Sequence, residues 1–130
     1  MSESLLFVYG TLRPGCDDPV AHWLRQEARH VGRATARGRL YWVDTYPAMV
    51  PRPDRIVVGD LFALPDAPAI LAALDEHEEC SEHFPEPREY RRERLVVRGP
   101  DGEVEAWAYI YGRDPALLPL IEGGDFLACN

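Results

Sequence analysis

The 130-residue chain contains no lysine. All fourteen of its basic residues are arginine, and 22 acids leave a formal net charge of −8. The arginine-only usage reads as a coding bias and carries no functional weight. The negative surplus argues against nucleic acid as the main partner, because a phosphate backbone is bound by clustered cations. Cysteine is scarce. Cys16, Cys80 and Cys129 are odd in number and widely spaced, with no C-x-x-C pair. That pattern favours free thiols in a reducing cytoplasm over a disulfide framework. Long apolar runs are also missing: no stretch approaches the ~20 residues needed to span a membrane. No charged-then-apolar leader precedes the first strand, so no membrane association is expected and the expected location is the cytoplasm. With no repeat, low-complexity tract or linker, residues 1–130 read as a single domain. Twelve prolines and ten glycines then predict short elements and frequent turns, not a helical bundle.

The stretch around which the chain is organised is Leu5-Leu6-Phe7-Val8-Tyr9-Gly10-Thr11-Leu12-Arg13-Pro14-Gly15. Leu5 to Tyr9 read as a strand buried on both faces. It opens into a loop at Gly10, where the missing Cβ lets a ligand approach the backbone. Such a loop can hold an anion by main-chain hydrogen bonds. An ordinary strand followed by a tight turn would show the same residues.

Farther along, Asp18 is a plausible helix N-cap with Pro19 at the first position, and Gly32 ends the segment. Val31 to Val43 read as extended, followed by a bent or rim strand around Tyr46 and Pro47. Arg55 to Leu64 read as a strand whose internal Gly59 marks a bulge, a barrel corner or a close backbone approach. Asp66 caps a second helix with Ile70, Leu71 and Leu74 on its apolar face. Arg88 to Val97 and Glu103 to Tyr111 read as strands joined by the Gly99-Pro100-Asp101-Gly102 hairpin turn. On the second of these, Val104, Ala106, Ala108 and Ile110 share one face and Trp107, Tyr109 and Tyr111 the other. Asp114-Pro115 can open a short helix through Leu118. The expected architecture is α+β: a mixed, curved sheet that glycines allow to close into a small barrel, with short flanking helices.

Glu78 is the informative acid. Counting back by fours gives Leu74 and Ile70, so Glu78 continues the apolar stripe while Asp75, Glu76 and Glu79 point elsewhere and can be solvated. A partly desolvated carboxylate near the negative end of a helix has a raised pKa and serves as a base near neutrality. If the helix frays before residue 78, the same carboxylate sits in water. Residues 74–89 hold seven acids (Asp75, Glu76, Glu78, Glu79, Glu82, Glu86 and Glu89) against Arg88 alone, most of them readable as a solvated acidic face. Asp75, His77, Glu78 and His83 lack metal-ligand spacing, and Asp75 and His77 do not share a helix face, so no metal is expected. Cys16 and Cys80 lack a fixed histidine and read as incidental thiols. Trp42, Tyr46, Trp107 and Tyr109 read as core or pocket wall, with the hydroxyls of Tyr46 and Tyr90 at a pocket rim.

With Val8-Tyr9-Gly10-Thr11-Leu12 in the first strand and Leu74-Asp75-Glu76-His77-Glu78 in the helix, the chain resembles the γ-glutamylcyclotransferase-like superfamily, in its AIG2-like branch. Tyr46-Pro47-Ala48, Val58-Gly59-Asp60-Leu61-Phe62, Tyr90-Arg91-Arg92, Ala106-Trp107-Ala108-Tyr109-Ile110 and Gly124-Asp125-Phe126 extend the match nearly end to end. The resemblance implies a small mixed β-barrel with flanking helices. It implies a cavity at the barrel mouth where Tyr9, Gly10, Thr11 and Leu12 hold a γ-glutamyl group, and it places the family's catalytic glutamate on Glu78. The family reaction releases 5-oxoproline and a free amine or amino acid, without metal or cofactor. Two departures stand out. Glu79 occupies a position where relatives usually carry glycine, adding a charge beside the base and altering how the chain leaves the helix. Phe126 replaces a usual tryptophan and keeps its packing role. The acidic stretch from Glu79 to Glu89 is expected to wall the cavity and to favour a cationic leaving group. The main functional expectation is an enzyme cyclising a small-molecule γ-glutamyl amine or amino acid. The alternatives are a binding or regulatory protein that keeps the pocket without turnover, and a different hydrolase or acyl transferase in that pocket. Oligomeric state is not legible.

Overall fold

β1 (Ser4–Val8) lies at the centre, and its side chains serve two cores in alternation. Leu6 and Val8 enter one apolar cluster, while Phe7 and the following Tyr9 enter another. A strand can feed two cores in this way only if it is covered on both faces, as the run of large apolar residues required. The computed structural model describes residues 4–43, 45–79, 85 and 88–126.

α1 (Pro19–Glu27) follows the first loop. Asp18 Oδ1 accepts from the backbone N–H groups of Val20 at 2.8 Å and Ala21 at 3.2 Å, the N-cap expected of it. The helix is shorter than the sequence pattern implied. Ala28 ends it by donating to the Leu24 carbonyl, and the chain is already extended at Arg29. β2 (Arg29–Arg37) starts there because Arg29 and His30 pair with Ala63 and Phe62 on β5 (Ile56–Leu64). Strand pairing outweighs local helix preference, and Gly32 marks a shift of register inside the strand, not a helix end.

β3 (Arg39–Val43) and β4 (Tyr46–Val50) form a separate antiparallel ribbon in which Trp42 faces Pro47. β6 (Tyr90–Gly99) and β7 (Gly102–Tyr111) form the expected hairpin. The barrel runs in the order β1-β5-β2-β6-β7 and closes through a parallel pairing of β1 with β7 at Leu6 and Trp107. All its other pairings are antiparallel. Gly59 is the close approach foreseen for it: a Cβ there would lie 2.2 Å from the Val8 carbonyl oxygen.

The alternation on β7 sorts the two cores. Ala106, Ala108 and Ile110 join Phe7, Leu61 and Val97, with Val104 packed alongside. Tyr109 joins Leu24, Ile70, Leu71 and Leu74 under the helices, with Trp107 and Tyr111 packed alongside. α2 (Ala67–His77) therefore lies on the outside of the barrel wall. Phe126 is buried and meets Trp42 edge-on at 5.4 Å, the packing role expected of it. The short helix expected after Asp114 is instead a turn in which Leu118 N–H donates to the Pro115 carbonyl at 3.0 Å.

The expectation of free thiols is corrected at Cys16, which is buried and disulfide-bonded. Cys80 and Cys129 lie outside the described residues, as do His83, Glu82, Glu86 and most of the stretch read as a proline-containing loop. Among the described residues, no helix is long and apolar enough to cross a membrane.

Candidate active site

Glu78 stands one turn beyond Leu74, and its N–H donates to the Leu74 carbonyl at 2.8 Å. α2 has not frayed there. Glu78 is its terminal cap residue, and Glu79 then turns the chain away in the left-handed region, at φ +56°. This is the position after a helix cap at which glycine avoids a Cβ clash, so Glu79 sits where the backbone favours the glycine that the resemblance implies.

A cavity of about 500 Å³ opens beside this helix end. Tyr9, Gly10, Thr11, Leu12, Tyr46, Tyr90 and Glu78 all line it, so the structure brings together the residues given a catalytic or binding role from the sequence; Tyr109 also lines it, whereas Trp42 and Trp107 pack against the cores. Their arrangement differs in two details. The space left by Gly10's missing Cβ is taken by the Pro47 ring, since a Cβ there would lie 2.8 Å from Pro47 Cγ; the glycine admits a neighbouring strand, not only a ligand. Tyr90 is buried, and its hydroxyl donates to the Pro47 carbonyl at 2.9 Å, so it braces the wall and does not stand at a rim. The Tyr46 hydroxyl does face a polar partner, donating to Glu89 Oε1 at 2.5 Å.

The cavity is hostile to charge on Glu78. Its carboxyl is pushed from the ordinary 4.5 up to about 7, first by burial, then by the negative charges of Glu89 and Asp18. Glu79, expected to exert this effect, is not among the causes, and its side chain is exposed. Asp18 caps α1, and Glu89 comes just before β6. Nearby, buried Tyr9 donates its hydroxyl to the Tyr109 carbonyl at 2.5 Å and accepts from Met49 N–H at 3.2 Å. Burial holds the Tyr9 and Tyr90 hydroxyls well above the usual phenol range, and the charge of Glu78 adds to the rise in both.

Several contributors escaped the sequence reading. Asp75 was assigned to solvent, yet it accepts from the Tyr109 hydroxyl at 2.7 Å and from Arg92 Nε at 2.8 Å. It ties the last turn of α2 to β7 and β6, and so fixes the helix end that carries Glu78. Arg13 was passed over as part of a turn. It is buried, with Nε donating to Asp60 Oδ2 at 3.0 Å and Nη1 to Asp125 Oδ1 at 2.5 Å. Glu89, the last residue of the acidic stretch expected to wall the cavity, does line it; its bond with the Tyr46 hydroxyl is what the sequence does not announce. Among the described residues, no three His, Cys, Asp or Glu side chains converge as metal ligands.

Residues 6–128 match the family model described as gamma-glutamyl cyclotransferase, AIG2-like. The chain belongs to this family. Among solved structures similar to this one, protein ytfP from Escherichia coli is 32% identical, with a TM-score of 0.65 over 95% of this chain and 96% of its own. An AIG2-like protein from Mus musculus gives a TM-score of 0.73 at 23% identity, over 94% of this chain and 88% of its own. YkqA from Bacillus subtilis gives 0.71 at 23% identity over 95% of this chain, which spans only 39% of that longer protein. Curated protein sequences yield no match. The AIG2-like fold is the closed five-stranded mixed barrel with two short helices described above, as the sequence pattern implied.

Proposed function

We propose that the protein is a γ-glutamylcyclotransferase that converts a γ-glutamyl amine or amino acid into 5-oxoproline and the free amine. The observation that carries this reading is the Glu78 carboxyl, pushed up to about 7 on the wall of a cavity it shares with the Tyr9–Leu12 loop. Family membership supports the same reaction class.

In the proposed reaction the loop and the cavity wall hold the glutamyl chain folded, so that its own α-nitrogen lies against its γ-carbonyl carbon. Bringing the two together within one molecule supplies much of the rate. Glu78 in its ionised form takes a proton from the α-ammonium. The freed nitrogen lone pair attacks the γ-carbonyl carbon, and the carbonyl π electrons move onto oxygen. As they return, the bond from carbon to the leaving nitrogen breaks. Glu78 returns its proton to that nitrogen and takes the second proton from the ring nitrogen, which becomes the neutral lactam N–H; passing that proton on to the departing amine, which leaves as its ammonium, restores the ionised carboxylate. A carboxyl with a pKa near 7 suits both transfers, because it is available as base and as acid at neutral pH.

Glu78→Gln preserves shape and removes the proton acceptor. Turnover is expected to fall about 10²–10⁴-fold with the fold intact, measured as 5-oxoproline release from a panel of γ-glutamyl compounds. Near-normal release by the folded variant would refute the mechanism. Binding by the wild type without release of 5-oxoproline would favour the binding-protein reading instead.

A further inference from the structure

The cavity presents four acids: Asp18, Glu78, Glu79 and Glu89. Asp18 Oδ1 is committed to the first N–H groups of α1. Glu79 is exposed at the left-handed turn. Glu78 is the proton acceptor of the proposed reaction. Glu89 remains, and it is held from two sides. Its carboxylate accepts from the Tyr46 hydroxyl at 2.5 Å and pairs with Arg113 Nη1 at 3.7 Å. Its carbonyl accepts from Gly112 N–H at 2.6 Å, and the next residue, Tyr90, is buried and bonded to the Pro47 carbonyl. Tyr46, Arg113 and Tyr90 line the same cavity. A γ-glutamyl group carries an ammonium and a carboxylate on a single carbon. A fixed carboxylate beside a guanidinium matches that zwitterion in sign and in scale, and a partner already held in place loses little freedom on binding.

We infer that Glu89 is the anchor for the α-ammonium of the substrate, with Arg113 placed to donate to the neighbouring α-carboxylate. The division of labour follows from this placement. Glu89 binds the cationic head group, and Glu78 removes its proton. The inference rests on the cyclisation reading for its choice of ligand, but its test needs no turnover.

The test is a coupling cycle by calorimetry on the Glu78→Gln protein, which holds ligand without consuming it. The ligands are γ-glutamyl ethylamide and N-ethylglutaramate, the same molecule with hydrogen in place of the α-ammonium. With Glu89 present, loss of the ammonium is expected to weaken binding about tenfold or more. In Glu78→Gln/Glu89→Gln the two ligands should bind within about twofold of each other. Equal discrimination in the two proteins, or none in the first, overturns the anchor. Should the double variant fail to fold by circular dichroism, Glu78→Gln/Tyr46→Phe carries the test. It keeps the charge and frees it from its tether, so discrimination should drop about threefold, and unchanged discrimination overturns the inference. Coupling without 5-oxoproline release from wild type would remove the cyclisation reading and keep the anchor. Release without coupling would do the reverse, and failure of Glu78→Gln to bind either ligand overturns the anchor, while the cyclisation reading stands or falls by 5-oxoproline release from wild type.

Discussion

Glu78 and Glu79 are neighbours in sequence with opposite environments, and the difference comes from one backbone angle. Glu78 ends α2 facing the cavity, while φ +56° at Glu79 swings the next side chain into solvent. Charge at Glu79 should therefore be silent. Glu79→Gln is expected to leave the acid limb of the pH–rate profile near 7, whereas Glu89→Gln should move it lower by removing a charge that raises Glu78. A shift with Glu79→Gln and none with Glu89→Gln would show that the charges around Glu78 are misassigned. The backbone effect at Glu79 is separate. A left-handed angle costs a side-chain-bearing residue about 1–2 kcal/mol, and glycine avoids that cost but loses more freedom on folding. Glu79→Gly is accordingly expected to stabilise the fold by up to about 1 kcal/mol, read as a higher urea midpoint. The stripe of Ile70, Leu71 and Leu74 made Glu78 legible from spacing alone. Glu89 was legible only as the end of a stretch expected to wall the cavity; its role was not, because its partners Tyr46 and Arg113 are distant in sequence and no local pattern announces them.

The first loop joins β1 to α1 and carries the residues proposed to hold the substrate, yet it has little regular structure of its own. Arg13 N–H donates to the Gly10 carbonyl at 3.0 Å, and the Arg13 guanidinium pins the loop to β5 through Asp60 and to the C-terminal segment through Asp125. His30 of β2 adds a contact from Nε2 to the other Asp60 oxygen at 3.0 Å. The site is thus fastened to the barrel by a buried ion pair. Removing one partner of such a pair leaves a buried charge and typically costs about 3–5 kcal/mol, whereas replacing both by apolar groups is often neutral. Arg13→Met should lower the urea midpoint strongly, and Arg13→Met/Asp60→Leu should recover much of the loss. A single variant as stable as wild type would mean that the pair does not hold the loop. Sequence periodicity placed both helix starts and most strands, because caps and alternation are local, but it ran β2 and β3 together as one extended segment although they lie in different sheets. It overran the end of α1, since the pairing of Arg29 and His30 with β5 is set by residues some thirty positions away.

At the scale of the whole molecule, the glycines and the mixed strand and helix pattern pointed to a small barrel. Strand order was less accessible, because β1 pairs with β5 and β7, both remote in the chain. That closure creates the cavity and makes the site a cost to the fold. Glu78 carries a pKa of about 7 in the folded protein against the ordinary 4.5. Below about 4.5 the group is protonated in both folded and unfolded chains and contributes nothing. Above that, the unfolded chain gives up the proton more readily, so stability falls as pH rises toward about 7 and then levels off. The rise from 4.5 to about 7 sets an upper bound of about 3–4 kcal/mol on the loss. Glu78→Gln has no proton to lose. The variant should match wild type near pH 4.5 and become progressively more stable than it up to pH 8, as followed by melting temperature across that range. Subtracting the two curves cancels every other titrating group, including the ion pair of Arg13. Parallel curves would mean that Glu78 ionises as easily folded as unfolded, and a carboxylate of that kind is too weak a base for the role proposed for it.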